Sequence, residues 1–250
     1  MSNNALLIIF AVCSYFFGNI NWALIISKLK KADIRQMGSG NPGTLNMSRN
    51  FGLKTGLLTF FLDVLKGALP TLIAYFVFSG KVFDGSKFLI SDFAVYLCGF
   101  CVVLGHIYPA FLKFKGGKGI ASTIGVLVVC ESVSGLGWAL ICIMALVCAV
   151  LFIYLTEFGA MGSFIAITPS AIAGGIRLFW RYHAITDIST TILYIVTSMI
   201  ILLICFLTWF AHRKNIQRML SGEEHPTSIK QMIVKARLKK QEIQKNQSKR

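Results

Sequence analysis

The sequence predicts an all-α fold: a polytopic bundle of about seven membrane helices, five of them full spans and the others shorter. Three observations predict it. Hydrophobic residues make up 55% of the 250 residues and charged residues only 14%, with a mean hydropathy of +0.68, whereas a soluble domain carries roughly 25% charged residues. Apolar residues fall in long uninterrupted runs, and a spanning helix needs about 20 of them. The cations are distributed by side of the membrane. A soluble core of this size could not hide 20 Phe and so much other apolar surface. A soluble enzyme, a disordered chain and a nucleic-acid-binding domain are thereby excluded. The formal net charge of +15 does not change this, because 11 of the 25 Lys and Arg lie in residues 211–250 and most of the others flank apolar runs. That pattern suits an anionic leaflet, so membrane lipids, and no nucleic acid, are the expected partners.

The runs follow in order. Residues 5–26, 56–78, 88–112, 135–155 and 190–210 are each long enough, or nearly so, to cross a bilayer. The first lacks a basic leader and a small-residue cleavage site, so it reads as an anchor rather than a cleaved signal. Two runs are shorter: 119–130, and 158–176 with its four Gly and one Pro. A short or tilted helix is tolerated where protein or a cavity surrounds it. Counting both gives seven crossings, and merging them gives five. With residues 28–54 cytoplasmic, seven crossings put 20 Lys and Arg inside and four outside (Lys81, Lys87, Arg177 and Arg181), with Lys66 within a span. The positive-inside rule then sets the N-terminus outside and the C-terminus in the cytoplasm. Residues 1–225 form the membrane domain and 226–250 a basic tail, in which Ile229, Met232, Ile233 and Leu238 give a weak apolar stripe suited to a surface-lying helix. The seven Cys all lie in or beside apolar runs, where they behave as small hydrophobes.

Three polar segments carry the chemistry, and all fall on the cytoplasmic side of this topology. Gly38-Ser39-Gly40-Asn41-Pro42-Gly43-Thr44-Leu45-Asn46-Met47-Ser48-Arg49 is dense in Gly, hydroxyls and Asn and leads into a helix. Backbone amides and a helix start suit an anion, and Arg49 offers a forked phosphate donor; a plain turn-rich loop would carry the same composition. Gly116-Gly117-Lys118-Gly119 opens the short apolar helix, again an arrangement suited to phosphate or to a basic membrane edge. It is not a Walker loop, because Gly119 stands where a Ser or Thr is required. In the third, His212, Asn215 and more loosely Arg218 share a helix face if the last span continues. A His with an amide and a cation could orient a hydroxyl or stabilise an oxyanion, and could equally be structural. Within the second span Asp63 and Lys66 are spaced i,i+3, and charge there marks a mutual pair or a functional cavity.

These segments, in this order and spacing, resemble the PlsY family, the bacterial membrane acyl-phosphate:glycerol-3-phosphate acyltransferases. The likeness covers about residues 5–225. It rests on Gly38-Ser39-Gly40-Asn41 with Asn46 and Arg49, on residues 63–67, on Gly105-His106 to Pro109 with residues 114–119, and on residues 212–224. The resemblance implies transfer of a fatty acyl group from acyl phosphate to glycerol 3-phosphate, giving lysophosphatidate and phosphate, the first acylation of phospholipid synthesis. It implies no cofactor and no metal, a location in the bacterial inner membrane with the active site facing the cytoplasm, and a functional partner in the enzyme that supplies acyl phosphate. By motif match, His212, Asn215, Lys118, Ser39 and Arg49 would be catalytic. Substrate phosphates would be held by Ser39, Gly40, Asn41, Gly43, Asn46, Arg49, Gly116, Gly117, Lys118, Gly119 and Ser163. Asp63, Lys66, His106 and Glu224 would be structural.

The chain departs from the family pattern at three positions. Leu45 stands where the family has Thr, Glu157 where a cation is expected, and Ala160 where a Ser is expected. An acid facing an anionic substrate would repel it, so Glu157 is expected to pair with Arg213, Lys214 or Arg218, or to point away. Among alternatives, an acyltransferase for thioester donors would carry His-x4-Asp, and no His here has Asp five residues later. A transporter of a small phosphorylated anion would place polar groups at the midplane in paired repeats; here they cluster at one face, and no repeat is visible.

Overall fold

The computed structural model describes residues 1–223, together with 227, 228, 230, 231, 233, 234, 237, 238 and 241 of the tail. Among the described residues, ten α-helices precede the tail: α1 (Asn3–Gly18), α2 (Trp22–Leu29), α3 (Thr44–Phe51), α4 (Leu53–Phe78), α5 (Ile90–Ile107), α6 (Ile120–Ser132), α7 (Leu136–Thr156), α8 (Gly159–Tyr182), α9 (Ile188–Ala211) and α10 (Arg213–Leu220). The described residues hold no strand beyond one isolated antiparallel bridge, Val82–Leu89. Among the described residues, six stretches are long and apolar enough to cross a membrane, and α6 is a shorter apolar helix. The expected bundle is therefore present, with two differences in length. The run at 158–176 extends to a full 24-residue helix, α8, which absorbs Pro169 without ending. The first run is broken between α1 and α2, where the Asn21 side chain accepts from Leu24 N at 2.9 Å and starts a new helix.

Close backbone packing sets the bundle's centre. A Cβ on Gly67 of α4 would lie 2.0 Å from the Ser122 carbonyl oxygen of α6, and one on Gly125 of α6 would lie 2.0 Å from the Val64 carbonyl oxygen of α4. The two glycines thus face each other's helix, as expected where association within lipid depends on close approach rather than on apolar surface. Such contact also shields α6, which is too short to span alone: Ala121 to Leu127 are all buried.

Charge fixes both ends of the bundle. At one end, three helix termini hold a buried cluster that includes Asp92 and Tyr96 (α5), Glu131 (α6), and Arg177 and Tyr182 (α8). Arg177 donates to Asp92 at 3.2 Å and to the Tyr96 hydroxyl at 3.0 Å. Tyr96 donates to Glu131 at 3.1 Å, and Tyr182 to Asp92 at 2.6 Å. Arg181 adds a second ion pair to Asp92 at 3.3 Å. Charge reading of the sequence treats Arg177 and Arg181 as flanking cations; in the fold they neutralise two acids buried in the protein. Removing one partner of a buried ion pair strands the other at a cost of about 3–5 kcal/mol. Arg177→Met should therefore lower the melting temperature of the detergent-solubilised protein markedly, by an amount that Arg181→Met, on a half-exposed side chain, does not match. Equal melting for both variants would contradict this account.

Candidate active site

The other end gathers the start of α3, the C-terminal end of α5, the start of α6, the start of α8 and the junction of α9 with α10. It is built on Lys66. This lysine is 1% exposed and has three neighbours: Asp63 at 3.1 Å, the Ile20 carbonyl oxygen at 2.6 Å and His106 Nδ1 at 2.8 Å. An ammonium only donates, so Nδ1 of His106 accepts. Ser122 Oγ lies 3.4 Å from the same nitrogen. The i,i+3 pairing of Asp63 with Lys66 read from the sequence is present, and His106 and a broken-helix carbonyl join it.

His106 in turn seats the loop before α6. Gly116 N donates to the Ile107 carbonyl and Gly117 N to the His106 carbonyl, each at 3.1 Å. A Cβ at Gly116 would meet the His106 carbonyl oxygen at 2.0 Å, and one at Gly117 would meet His106 Nε2 at 2.3 Å. This corrects the expectation that these two amides line an anion site. They are bonded to the end of α5, and Gly is needed there because the loop lies directly on His106. Gly119 adopts φ +85° and turns the chain into α6. The outcome is to present Lys118, whose Nζ donates to Asn215 Oδ1 at 2.5 Å.

His212, the junction residue between α9 and α10, is 3% exposed. Its Nδ1 lies 2.8 Å from the Thr208 carbonyl oxygen. A carbonyl only accepts, so Nδ1 carries the proton and Nε2 keeps its lone pair. Burial and the Lys118 charge push the imidazole down to about 4 against the pull of the Thr208 carbonyl, so it is neutral at physiological pH. Phe164 of α8 meets the imidazole edge to face at 5.5 Å and lies 5.2 Å from the Trp209 ring.

From these rings an apolar groove of about 740 Å³ runs along α8 between α7 and α9, lined by Trp138, Phe164, Ile165, Ile172, Ile176 and Trp209 among others. Phe164 to Ile176 spans about 18 Å at 1.5 Å per residue.

The Gly-rich loop before α3 is held by Asn46, which is buried. Its amide nitrogen donates to the carbonyls of Met37 at 2.9 Å and Ile34 at 3.3 Å. Its Oδ1 accepts from Ser39 N at 3.2 Å and from Asn50 at 3.0 Å. Asn46, grouped by motif with the phosphate residues, is thus engaged inside the loop. Gly38 and Gly40 take φ +56° and +69° in the turn. Ser39 and Arg49 are exposed at the loop and on α3, whereas Asn41 and Gly43 are half-buried. Leu45 of α3 faces Gly159, the first residue of α8. Ser163, one turn further along α8, donates to the Gly159 carbonyl at 2.9 Å. Glu224 lies outside the described residues.

Glu157 ends α7 with φ +62°. Among the described residues it forms no ion pair with Arg213, Lys214 or Arg218. Arg213 instead donates to the Phe210 carbonyl at 3.1 Å and sits 4.6 Å from the centroid of that residue's ring. What ties Glu157 down is its backbone, whose carbonyl accepts from Thr227 N at 2.8 Å. The polar segments of the sequence do not include Thr227, Asn21 at the helix break, or the acids Asp92 and Glu131. An acid within or beside an apolar run was the available signal for the last two; Thr227 carries no local one.

Comparison with known proteins identifies the family. The profile of the glycerol-3-phosphate acyltransferase family matches residues 8–222. Glycerol-3-phosphate acyltransferases from Mycoplasmopsis pulmonis and Thermotoga petrophila are 35% and 36% identical, over 86% and 88% of this chain and 90% and 96% of their own lengths. A crystal structure of PlsY, an integral membrane glycerol 3-phosphate acyltransferase, in its glycerol 3-phosphate form superposes with a TM-score of 0.67 at 30% identity, covering 88% of this chain and 94% of that one. Its lysophosphatidic acid form gives 0.66 at 29% identity over the same shares. With a family profile across residues 8–222 and relatives aligned over nearly their whole length, this chain belongs to the glycerol-3-phosphate acyltransferase family.

Proposed function

We propose that this chain transfers a long acyl group from acyl phosphate to the sn-1 hydroxyl of glycerol 3-phosphate, releasing lysophosphatidate and inorganic phosphate. The observation that carries the reading is the convergence, at one end of the bundle, of Lys118, Asn215 and a neutral His212 with the mouth of an apolar groove. Phosphate and alkyl chain are the two ends of an acyl phosphate, and the site offers a cation for one and a groove for the other.

The hydroxyl oxygen attacks the acyl carbonyl carbon, the carbon–oxygen bond to phosphate breaks, and phosphate leaves with the electron pair. The hydroxyl proton passes to a phosphate oxygen, so no side chain must act as a strong base. His212 Nε2, holding a lone pair, accepts from the neighbouring sn-2 hydroxyl and so orients the acceptor for attack. Asn215 holds Lys118 and offers its amide nitrogen to the reacting carbonyl. Lys118 and Arg49 bind phosphate with charge-assisted contacts, joined by Ser39, Gly40, Asn41, Gly43 and Ser163 at the rim. Asn46, Gly116, Gly117 and Gly119 serve by shaping the two loops, and Asp63, Lys66 and His106 by supporting them. An acyl phosphate is already activated, so neither nucleotide nor metal is required. The site faces the cytoplasm of a bacterial inner membrane, with the N-terminus outside, because that orientation puts 20 Lys and Arg inside and four outside. The enzyme that makes acyl phosphate is then its functional partner.

Purified protein should release phosphate from acyl phosphate and glycerol 3-phosphate without metal or nucleotide. Equal or better turnover with an acyl thioester, or loss of activity with EDTA, would refute the donor assignment. Cysteine labelling on a Cys-free background tests the orientation: position 85 should react from outside and position 214 from the cytoplasm, and the reverse pattern would overturn it.

Losing one charge-assisted contact costs about 1.5–3 kcal/mol, so Lys118→Ala and Arg49→Ala should each lower kcat/KM roughly 10–150-fold. His212→Ala should lower kcat more than it raises KM, because a hydroxyl is oriented chiefly in the transition state. Full activity in all three would remove the assignment. The depressed His212 value also has a direct readout. With the folded value about 4 and the ordinary value about 6.5, stability from the neutral ring is complete above pH 6.5 and is lost as pH falls toward 4. In histidine-labelled protein the resonance missing from His212→Asn should stay unshifted from pH 8 to 5.5; a midpoint near 6.5 would show that burial and Lys118 do not act as described.

A further inference from the structure

The tail begins beyond the family-matched stretch, which ends at residue 222, and its first described residues do not lie free. Thr227 is 3% exposed. It attaches to three separate elements of the catalytic end. Its hydroxyl accepts from Arg49 of α3 at 3.1 Å. Its N–H donates to the carbonyl of Glu157, the residue that ends α7, at 2.8 Å. Its Oγ1 lies where Gly159, the first residue of α8, leaves space, 2.7 Å from the site a Cβ would take. The neighbouring residues secure the same segment. Ser228 is buried and caps the following turn, accepting from Gln231 N at 3.3 Å. Lys230 Nζ stands 4.9 Å from the centroid of the Tyr154 ring on α7.

A guanidinium on a long flexible stem reaches an anion well only when its fork is held in one orientation. One nitrogen of Arg49 is held by a hydroxyl that is itself anchored through its backbone to the α7–α8 corner. We propose that the tail is a strap and that Thr227 is a positioning residue for Arg49, aiming it toward substrate phosphate. The proposal rests on the reading of Arg49 as a phosphate ligand. It also gives the Glu157 position a use: its left-handed backbone presents the carbonyl that holds the strap, a contact that depends on main chain and not on a carboxylate.

The test is a steady-state comparison on the full chain, with KM measured for both substrates. Arg49→Ala first identifies the substrate whose KM Arg49 controls. Thr227→Val keeps the shape and removes the hydroxyl, and a net hydrogen bond corresponds to roughly a three- to tenfold effect. That rise is expected in the same KM, with kcat and melting temperature close to wild type. Thr227→Ser should restore KM. The Arg49→Ala, Thr227→Val double variant should be no worse than Arg49→Ala alone, because the two act as one unit. A wild-type KM in Thr227→Val, with Arg49→Ala impaired, overturns the strap and leaves Arg49 as a ligand. No effect of Arg49→Ala overturns both. A higher kcat in Thr227→Val, or equal rises in both KM values with a fall in melting temperature, also overturns the proposal, by showing an obstructing or a merely structural tail.

Discussion

A lysine ammonium deep in a membrane bundle can persist only if its charge and donors are answered by protein, and this requirement organises the catalytic end. Lys66 meets Asp63, the Ile20 carbonyl and His106. The Ile20 carbonyl is available because the first helix breaks there. His106 is held in one orientation because its Nδ1 must accept from a cation. The loop that carries Lys118 lies on His106 so closely that two successive residues must be Gly. One buried charge therefore links a helix break, a ring orientation and the placement of a half-buried cation beyond the next helix in sequence.

Buried charge at both ends and close backbone contact between them hold the bundle together. Arg177 with Asp92 and Glu131 does at the far end what Lys66 does at the near one. Reciprocal glycine contacts between α4 and α6 lock the middle and leave no slack between backbones. The groove along α8 lies apart from these contacts, among large apolar side chains of α7, α8 and α9. A precise polar end and an adaptable apolar wall suit a substrate whose reacting end is fixed and whose chain is not.

Electrostatics at the site follow from burial. A protonated His212 would stand in a poorly solvated position beside Lys118, so the ring stays neutral and the positive charge there stays on the lysine. In the proposed reaction this division keeps positive charge for phosphate and a lone pair for a hydroxyl. The acid at 157 does not disturb it through an ion pair; its contribution is a main-chain carbonyl at a helix end.

The sequence by itself determined the membrane class, the helical bundle and the three polar segments. Apolar run length and charge asymmetry are local properties that the bilayer reads directly. It also determined the Asp63–Lys66 pair, since i,i+3 spacing on a helix is a local distance. What only the tertiary structure decided is which groups face one another across helices. The amides of Gly116 and Gly117 look free in a Gly-rich loop and are bonded to α5. Asn46 looks like a ligand and is consumed in its own loop. The run at 158–176 looks short because Gly and Pro lower its apolar count, yet packing against neighbouring helices carries it to Tyr182. Thr227 looks like one more polar residue of a basic tail and lies 178 residues from the arginine it contacts. Spacing along a chain fixes neighbours within a helix turn; contacts at such separations exist only once the helices have packed.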